Sequence, residues 1–175
     1  ANDRIRLGVI GSGDRGADRF RTAMALGAEV VAVCDVNQIT LARAKSLTED
    51  KADAYNEHER VLERKDVDAV IIATPDHWHH DIFLDAMKAG KDVYQEKPLS
   101  KTIEEGKSMV EAAQKANRIV QIGNHRRSGS HWHAAFKAIR EGLIGEIKWI
   151  RTYDCRNFSS GDPWQARGRD LDRYD

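Results

Sequence analysis

Three glycines, an aspartate and a lysine have the types and spacing to do chemistry in this chain. Gly11, Gly13 and Gly16 follow an apolar run from Ile5 to Ile10 and open a stretch with helical patterning. In a strand–turn–helix of this kind the first glycine permits a tight bend. The second lets backbone approach a pyrophosphate, and the third lets the helix pack closely on the strand. The helix N-terminus adds free N–H groups and a positive dipole end for the phosphates. Ser12, Asp14 and Arg15 complete the turn. Arg15 stands either against phosphate or on the exposed face of its helix. Asp35 comes about 20 residues after Gly16, where a dinucleotide fold places the acid that binds the ribose hydroxyls of the adenosine half. The alternative for Asp35 is a capping or turn residue. Lys97 follows Glu96 and precedes Pro98, which biases it away from the α region and so sets its direction. In isolation the same residues read as a surface Lys-Pro turn with a solvated charge.

These residues need a scaffold, and the rest of the chain supplies one. Residues 4–10 read as a strand, Asp14 to about Leu26 as a helix, and Glu29 to Cys34 as a second strand, apolar without alternation. Such runs suit parallel strands covered on both faces. Asn37 is placed to cap a helix through Leu41, Ala44 and Leu47, and His58 to Arg64 reads as a short helical piece. Asp68 to Ala73 is a third strand, ending in Thr74-Pro75-Asp76-His77-Trp78-His79-His80. A helix through Ile82, Phe83, Ala86 and Met87 leads to a short strand, Asp92 to Gln95. Thr102 and Glu105 form a capping-box pattern for a long helix whose packed side is expected to carry Ile103, Val110, Ala113 and Ala116. Arg118 to Ile122 is a fifth strand, His131 to about Glu141 a helix with Trp132, Ala135, Phe136 and Ile139 aligned, and Glu146 to Tyr153 a last strand.

Strand and helix alternate with short connections, which predicts an α/β fold: a Rossmann doubly wound parallel sheet with right-handed crossovers. Ligands in such sheets sit outside the carboxyl ends of the strands. The unusual residues gather at those ends: Gly11 to Gly16, Asp35, Thr74 to His79, Glu96 to Pro98, and Gly123 to Arg127. Residues 154–175 differ in texture, with Gly161, Pro163, Gly168 and many Arg and Asp residues. The expected organisation is a dinucleotide-binding domain over 1–123. A linker helix, strand and loop over 124–175 would then open a truncated second α/β domain.

Composition narrows the function classes. The chain has 175 residues, 41% hydrophobic and 32% charged, with 28 Lys plus Arg against 28 Asp plus Glu. That balance argues against nucleic acid as a main partner, since phosphate binding usually leaves a basic excess. No apolar run approaches the roughly 20 residues needed to span a bilayer, so no membrane partner is expected. No signal peptide is visible, which makes the cytoplasm the default location. The start at Ala-Asn-Asp rather than Met leaves a processed, exported form open. Cys34, in an apolar strand, reads as a small hydrophobe, and nothing suggests a disulfide framework.

Taken together, Gly11-Ser12-Gly13-Asp14-Arg15-Gly16, Asp35, Thr74-Pro75 with His79, and above all Glu96-Lys97-Pro98 resemble the glucose–fructose oxidoreductase / inositol 2-dehydrogenase (Gfo/Idh/MocA) family over about residues 4–153. The resemblance implies an N-terminal Rossmann domain and a C-terminal α/β domain whose open sheet floors the substrate site and often a subunit interface. It implies NAD(P)-dependent oxidation of a sugar, polyol or related alcohol, and a homo-oligomer when the second domain is complete. Lys97 matches the family's active-site lysine and Glu96 its neighbour near the nicotinamide. The segment from Gly123 to Arg126 resembles the family's turn into the second domain, with Asn124 and Arg126 as substrate-facing candidates. Two departures stand out. Asp76 replaces a common Asn, and no Asp-x-x-x-His motif follows the last strand, which leaves the usual general base unassigned.

Hydride transfer needs the nicotinamide held about 3–3.5 Å from the carbinol carbon, a proton acceptor, and stabilisation of the alkoxide. Lys97 can supply the last and part of the second. A carboxylate at Asp35 repels a 2′-phosphate and so favours NAD over NADP. His77, His79 and His80, with Asp76 and Asp81, lack the spacing of common zinc patterns, and no metal is expected. His79 reads better as a cofactor-side or helix-start residue. His125, Arg126 and Arg127 either face substrate or form a polar rim. Two further readings remain: a redox-neutral NAD-dependent glycosidase or lyase of the same family, and a non-catalytic nucleotide-binding fragment.

Overall fold

The computed structural model describes residues 4–152, with 126 excepted. Its contacts divide the chain into two units, Ala1–Asn124 and His125–Asp175.

In the first unit six strands form one parallel sheet. They are β1 (Arg6–Ile10), β2 (Glu29–Cys34), β3 (Asp53–Tyr55), β4 (Ala69–Ile72), β5 (Asp92–Glu96) and β6 (Val120–Gly123). The spatial order is β3-β2-β1-β4-β5-β6, so the chain reverses its direction of travel between β1 and β4. That is the dinucleotide-fold order, and its reversal point opens a crevice at the strand carboxyl ends. The helices are α1 (Asp14–Ala25), α2 (Gln38–Leu47), α3 (His58–Leu62), α4 (His79–Lys88) and α5 (Ile103–Ala116). Successive strand side chains point to opposite faces, and the core divides accordingly. Val9, Val33 and Ile71 pack with Ala17, Phe20, Leu41 and Ala44 of α1 and α2. Ile10, Cys34 and Ile72 pack on the other face with Val61, Ile82, Phe83, Met87 and Met109 of α3, α4 and α5. The apolar, β-branched strands are therefore covered on both faces, as their unbroken apolar runs predict.

Local signals hold where they concern neighbours in sequence. The Asn37 side chain accepts from Thr40 N at 3.0 Å, capping α2. Thr102 and Glu105 form both halves of the capping box at α5. Three expectations need correction. A short edge strand, β3, lies where no strand was expected; its three residues are too few for a periodic signal. Helix α5 turns Met109 to the core at 1% exposure and leaves Ile103 at 73% and Val110 at 50%. Ala113 and Ala116 pack as expected, but Ile103 and Val110 do not, because Met109 and Ala112 complete the buried face in their place. Third, the expected last strand is not formed over 146–152. A strand needs a hydrogen-bonding neighbour, and none runs beside this segment among the described residues. Tyr153 lies outside them. In the second unit the helix α6 (Ser130–Arg140) forms as expected.

Candidate functional site

The glycine turn is built by close backbone packing. Gly11 has φ +81°, a conformation other residues rarely adopt. Its N–H donates to Cys34 O at 2.9 Å, tying the end of β1 to the end of β2. A Cβ at Gly11 would stand 2.6 Å from Thr74 N, so the turn lies against the end of β4, at the reversal point. A Cβ at Gly16 would run into Gly11 O, so only glycine lets α1 begin this close to the strand. Gly13 differs from both: a Cβ there would meet nothing within 4 Å. The fold itself does not demand glycine at this position, and the space it leaves is open. The N-cap of α1, Gly13, makes no side-chain cap hydrogen bond, and the first N–H groups of a helix have no partner within it.

Asp35 sits just beyond β2, half-buried. Its Oδ2 accepts from Ser12 N at 2.9 Å and from Ser12 Oγ at 3.3 Å, and its Oδ1 accepts from Asn37 N at 3.0 Å. The carboxylate is thus fixed against the glycine turn. An ionised carboxylate has about four lone-pair sites, so with these three bonds accepted, capacity for about one further donor remains, on Oδ1. The capping or turn role of Asp35 is seen directly, since it orders the turn into α2. The open space at Gly13, the uncapped helix start and this fixed carboxylate fit a dinucleotide. Asp14 lies at the surface and pairs with Arg43 at 3.2 Å. Arg15 is half-buried and, with Arg19, lies near enough to Tyr94 to act on its phenol. Burial first, then the Glu96 charge, raise the Tyr94 pKa above its usual value against these two arginines.

Lys97 is exposed at the end of β5, and its peptide bond to Pro98 is cis. Glu96, by contrast, is 4% exposed and pairs with Arg19 of α1 at 2.7 Å. His79 is completely buried, with Nδ1 2.7 Å from Pro98 O and Nε2 3.0 Å from Thr74 O. The polar atoms of Glu96 and His79 are therefore enclosed, whereas Lys97 between them is exposed. Thr74 is half-buried, its hydroxyl enclosed without a hydrogen-bond partner among the described residues, and Pro75 is exposed. His80 turns away from His79 to Ser108 Oγ at 2.9 Å and Asp81 Oδ1 at 2.7 Å. Cys34 is buried, and its thiol pKa is pushed up to about 12, by burial first and then by Asp35, which keeps it protonated.

Asn124 is exposed, its N–H donating to Ile122 O at 2.8 Å. Arg126 lies outside the described residues. In the second unit His125 and Arg127 line an open cleft with Trp132, His133 and Phe136. Sequence reasoning missed Arg19 and Gln95. The signal for Arg19 was present: a glutamate at the end of an apolar strand needs a cation, and Arg19 stands one helical turn from Arg15. Among the described residues no helix is long and apolar enough to cross a membrane.

The chain is similar to several known proteins. The chain is 37% identical over 161 residues to an inositol 2-dehydrogenase of Klebsiella pneumoniae, covering 90% of this chain and 48% of that protein. It is 35% identical over 154 residues to a glycosyl hydrolase family 109 protein of Shewanella sp., covering 83% of this chain and 34% of the relative. The chain thus spans half or less of the length of these relatives. Among solved structures, scyllo-inositol dehydrogenase from Lactobacillus casei with bound NAD(H) and scyllo-inositol superposes with a TM-score of 0.74 at 27% identity, over 83% of this chain and 43% of that one. A 3-ketoreductase from Actinomadura kijaniata in complex with NADP gives 0.72 at 26% identity, over 83% and 47%. The family model GFO_IDH_MocA, described as an oxidoreductase family with an NAD-binding Rossmann fold, matches residues 5–124. With that match covering more than half of its length, the chain belongs to the Gfo/Idh/MocA oxidoreductase family.

Proposed function

We propose that this chain is the cofactor-binding part of an NAD-dependent oxidoreductase acting on a polyol or related carbohydrate alcohol. The observation that carries the reading is the Asp35 carboxylate fixed by Ser12 beside the open space at Gly13. Gly11 to Gly16 would hold the pyrophosphate on the start of α1, and Asp35 the adenosine ribose. NAD supplies the hydride acceptor when bound. Lys97, exposed at the strand end, is the candidate catalytic residue: its ammonium would stabilise the developing alkoxide and orient the substrate hydroxyl. Thr74 and Pro75 would wall the crevice beside the turn. Asn124 and Arg126 remain candidates for substrate contact. In this reading residues 1–123 bind the cofactor and 124–175 open a substrate domain, through which the complete protein would form a homo-oligomer.

Calorimetry with NAD and NADP tests the cofactor side. NAD is expected to bind the more tightly, because a 2′-phosphate would meet the Asp35 charge. Asp35→Ala is expected to weaken NAD binding by about tenfold or more, the worth of a charge-assisted hydrogen bond. Equal affinity for both cofactors would remove the NAD preference, and binding of neither would sink the dinucleotide reading.

Similarity to the glycosyl hydrolase family 109 protein favours a second reading, in which bound NAD is reduced and reoxidised within one turnover. Near-ultraviolet absorbance separates the two. Accumulating NADH with an inositol supports the dehydrogenase; product from a glycoside without net NADH supports the hydrolase. Tight NAD binding with neither outcome would leave a nucleotide-binding module.

A further inference from the structure

The turn that carries Lys97 is tied down on both faces of the sheet by residues that do not themselves reach the crevice. On one face Glu96 points to α1, where its buried carboxylate meets Arg19 at 2.7 Å. On the other, His79 at the head of α4 lies between two backbone oxygens, Pro98 O at 2.7 Å and Thr74 O at 3.0 Å. Gln95 lies wholly buried beneath the same turn, its amide donating to Leu99 O at 2.8 Å and facing Pro98 O at 3.4 Å. The residue before Lys97 and the residue after it are therefore each held by a different helix. Only Lys97, between them, is left exposed.

Each tie also reaches a second part of the crevice. Arg19 belongs to the helix that starts at the glycine turn, so its pair with Glu96 links the pyrophosphate-side helix to the Lys97 turn. His79 links that turn to Thr74, the residue against which Gly11 packs. Buried charges and buried imidazoles are expensive unless matched. Their use here to brace one turn is an arrangement that a solvated Lys-Pro turn would not need.

We propose that Arg19 and His79 are positioning residues for Lys97, acting through Glu96 and the Pro98 carbonyl to hold its ammonium at a fixed place relative to the dinucleotide turn. The inference rests on Lys97 being the catalytic lysine of the function proposed above. It reassigns Glu96 and His79 from cofactor contact to support of the lysine.

The test compares the complete protein that contains this chain with its Arg19→Lys, His79→Leu and double Arg19→Leu/Glu96→Leu variants. The double variant removes both charges and so avoids stranding a buried carboxylate. Three quantities are read: NAD affinity, kcat with scyllo-inositol against KM for NAD, and hydrogen exchange at the amides of Glu96, Lys97 and Leu99. His79→Leu and the double variant are expected to lower kcat by about tenfold to hundredfold, the cost of a misplaced catalytic group. KM for NAD should stay within about twofold. Exchange at the three amides should accelerate in both, and Arg19→Lys should retain most of the activity. Unchanged exchange in both variants overturns the clamp, and so does a KM for NAD that rises as steeply as kcat falls. Failure of the unaltered complete protein to bind NAD or to oxidise scyllo-inositol counts against the proposed function instead. Exchange at Glu96, Lys97 and Leu99 then decides the clamp by itself.

Discussion

At the scale of single residues the glycines of the first turn divide into two kinds. Gly16 is required by the fold, because a methyl group there meets the Gly11 carbonyl, which is backbone and cannot swing aside. Gly13 is not required by the fold, because a methyl group there meets nothing and its φ of −59° suits any residue. Gly13→Ala is therefore expected to unfold in denaturant within about 0.5 kcal/mol of the parent, yet to lose NAD affinity, since the methyl would occupy the space left for the pyrophosphate. Gly16→Ala should lose about 1–3 kcal/mol by overpacking, even though alanine is the better helix former. Denaturant titration with calorimetry reads both. An unchanged NAD affinity in Gly13→Ala would mean that the cofactor does not approach there.

At the scale of elements, α5 shows how a helix chooses its buried face. Counting apolar residues at helical spacing favours Ile103 and Val110, but the sheet takes Met109. Small residues at 112, 113 and 116 let the helix approach, and a long flexible side chain then fills the remaining gap. Met109→Ala is expected to cost about 2–5 kcal/mol, as for other large-to-small core changes. Val110→Ala, half-exposed, should stay within about 0.5 kcal/mol. Equal losses measured by denaturant unfolding would show that the helix is rotated from the described position.

At the scale of the whole molecule, the end of the sheet away from the crevice is held by charge. Arg64 bonds Asp66 at 2.7 and 2.9 Å and also meets Asp53, while Arg6 reaches Asp66 at 2.6 Å. This knot joins β1, β3 and the segment that leads into β4. The Arg64 guanidinium holds Asp66 below its ordinary 3.8, with burial opposing. A carboxylate with a depressed folded pKa stabilises the fold above its unfolded value, and that contribution is lost as pH falls through the folded one. Asp66 is partly exposed, so the share is modest. In thermal melts from neutral pH down to below pH 4, Asp66→Asn should show a flatter acid limb than the parent. An equally steep limb would place the acid sensitivity in other carboxylates.

The sequence by itself determined the order of strands and helices in the first unit apart from the short β3, the caps at Asn37 and Thr102, the glycine turn and the family. Each depends on steric or periodic rules that act within a turn or two of chain, so a short window of residues contains the whole cause. Tertiary structure decided what each polar residue does. Glu96 and His79 carry motif positions that suggest a cofactor, yet their burial comes from Arg19, Thr74 and Pro98, which the chain brings up from distant segments. Asp35 was legible as a ribose-binding candidate by spacing, but its attachment to Ser12 was not, because that bond joins the ends of two different strands. The face of α5 and the lack of a strand over 146–152 were likewise hidden, since packing and strand pairing depend on what lies opposite.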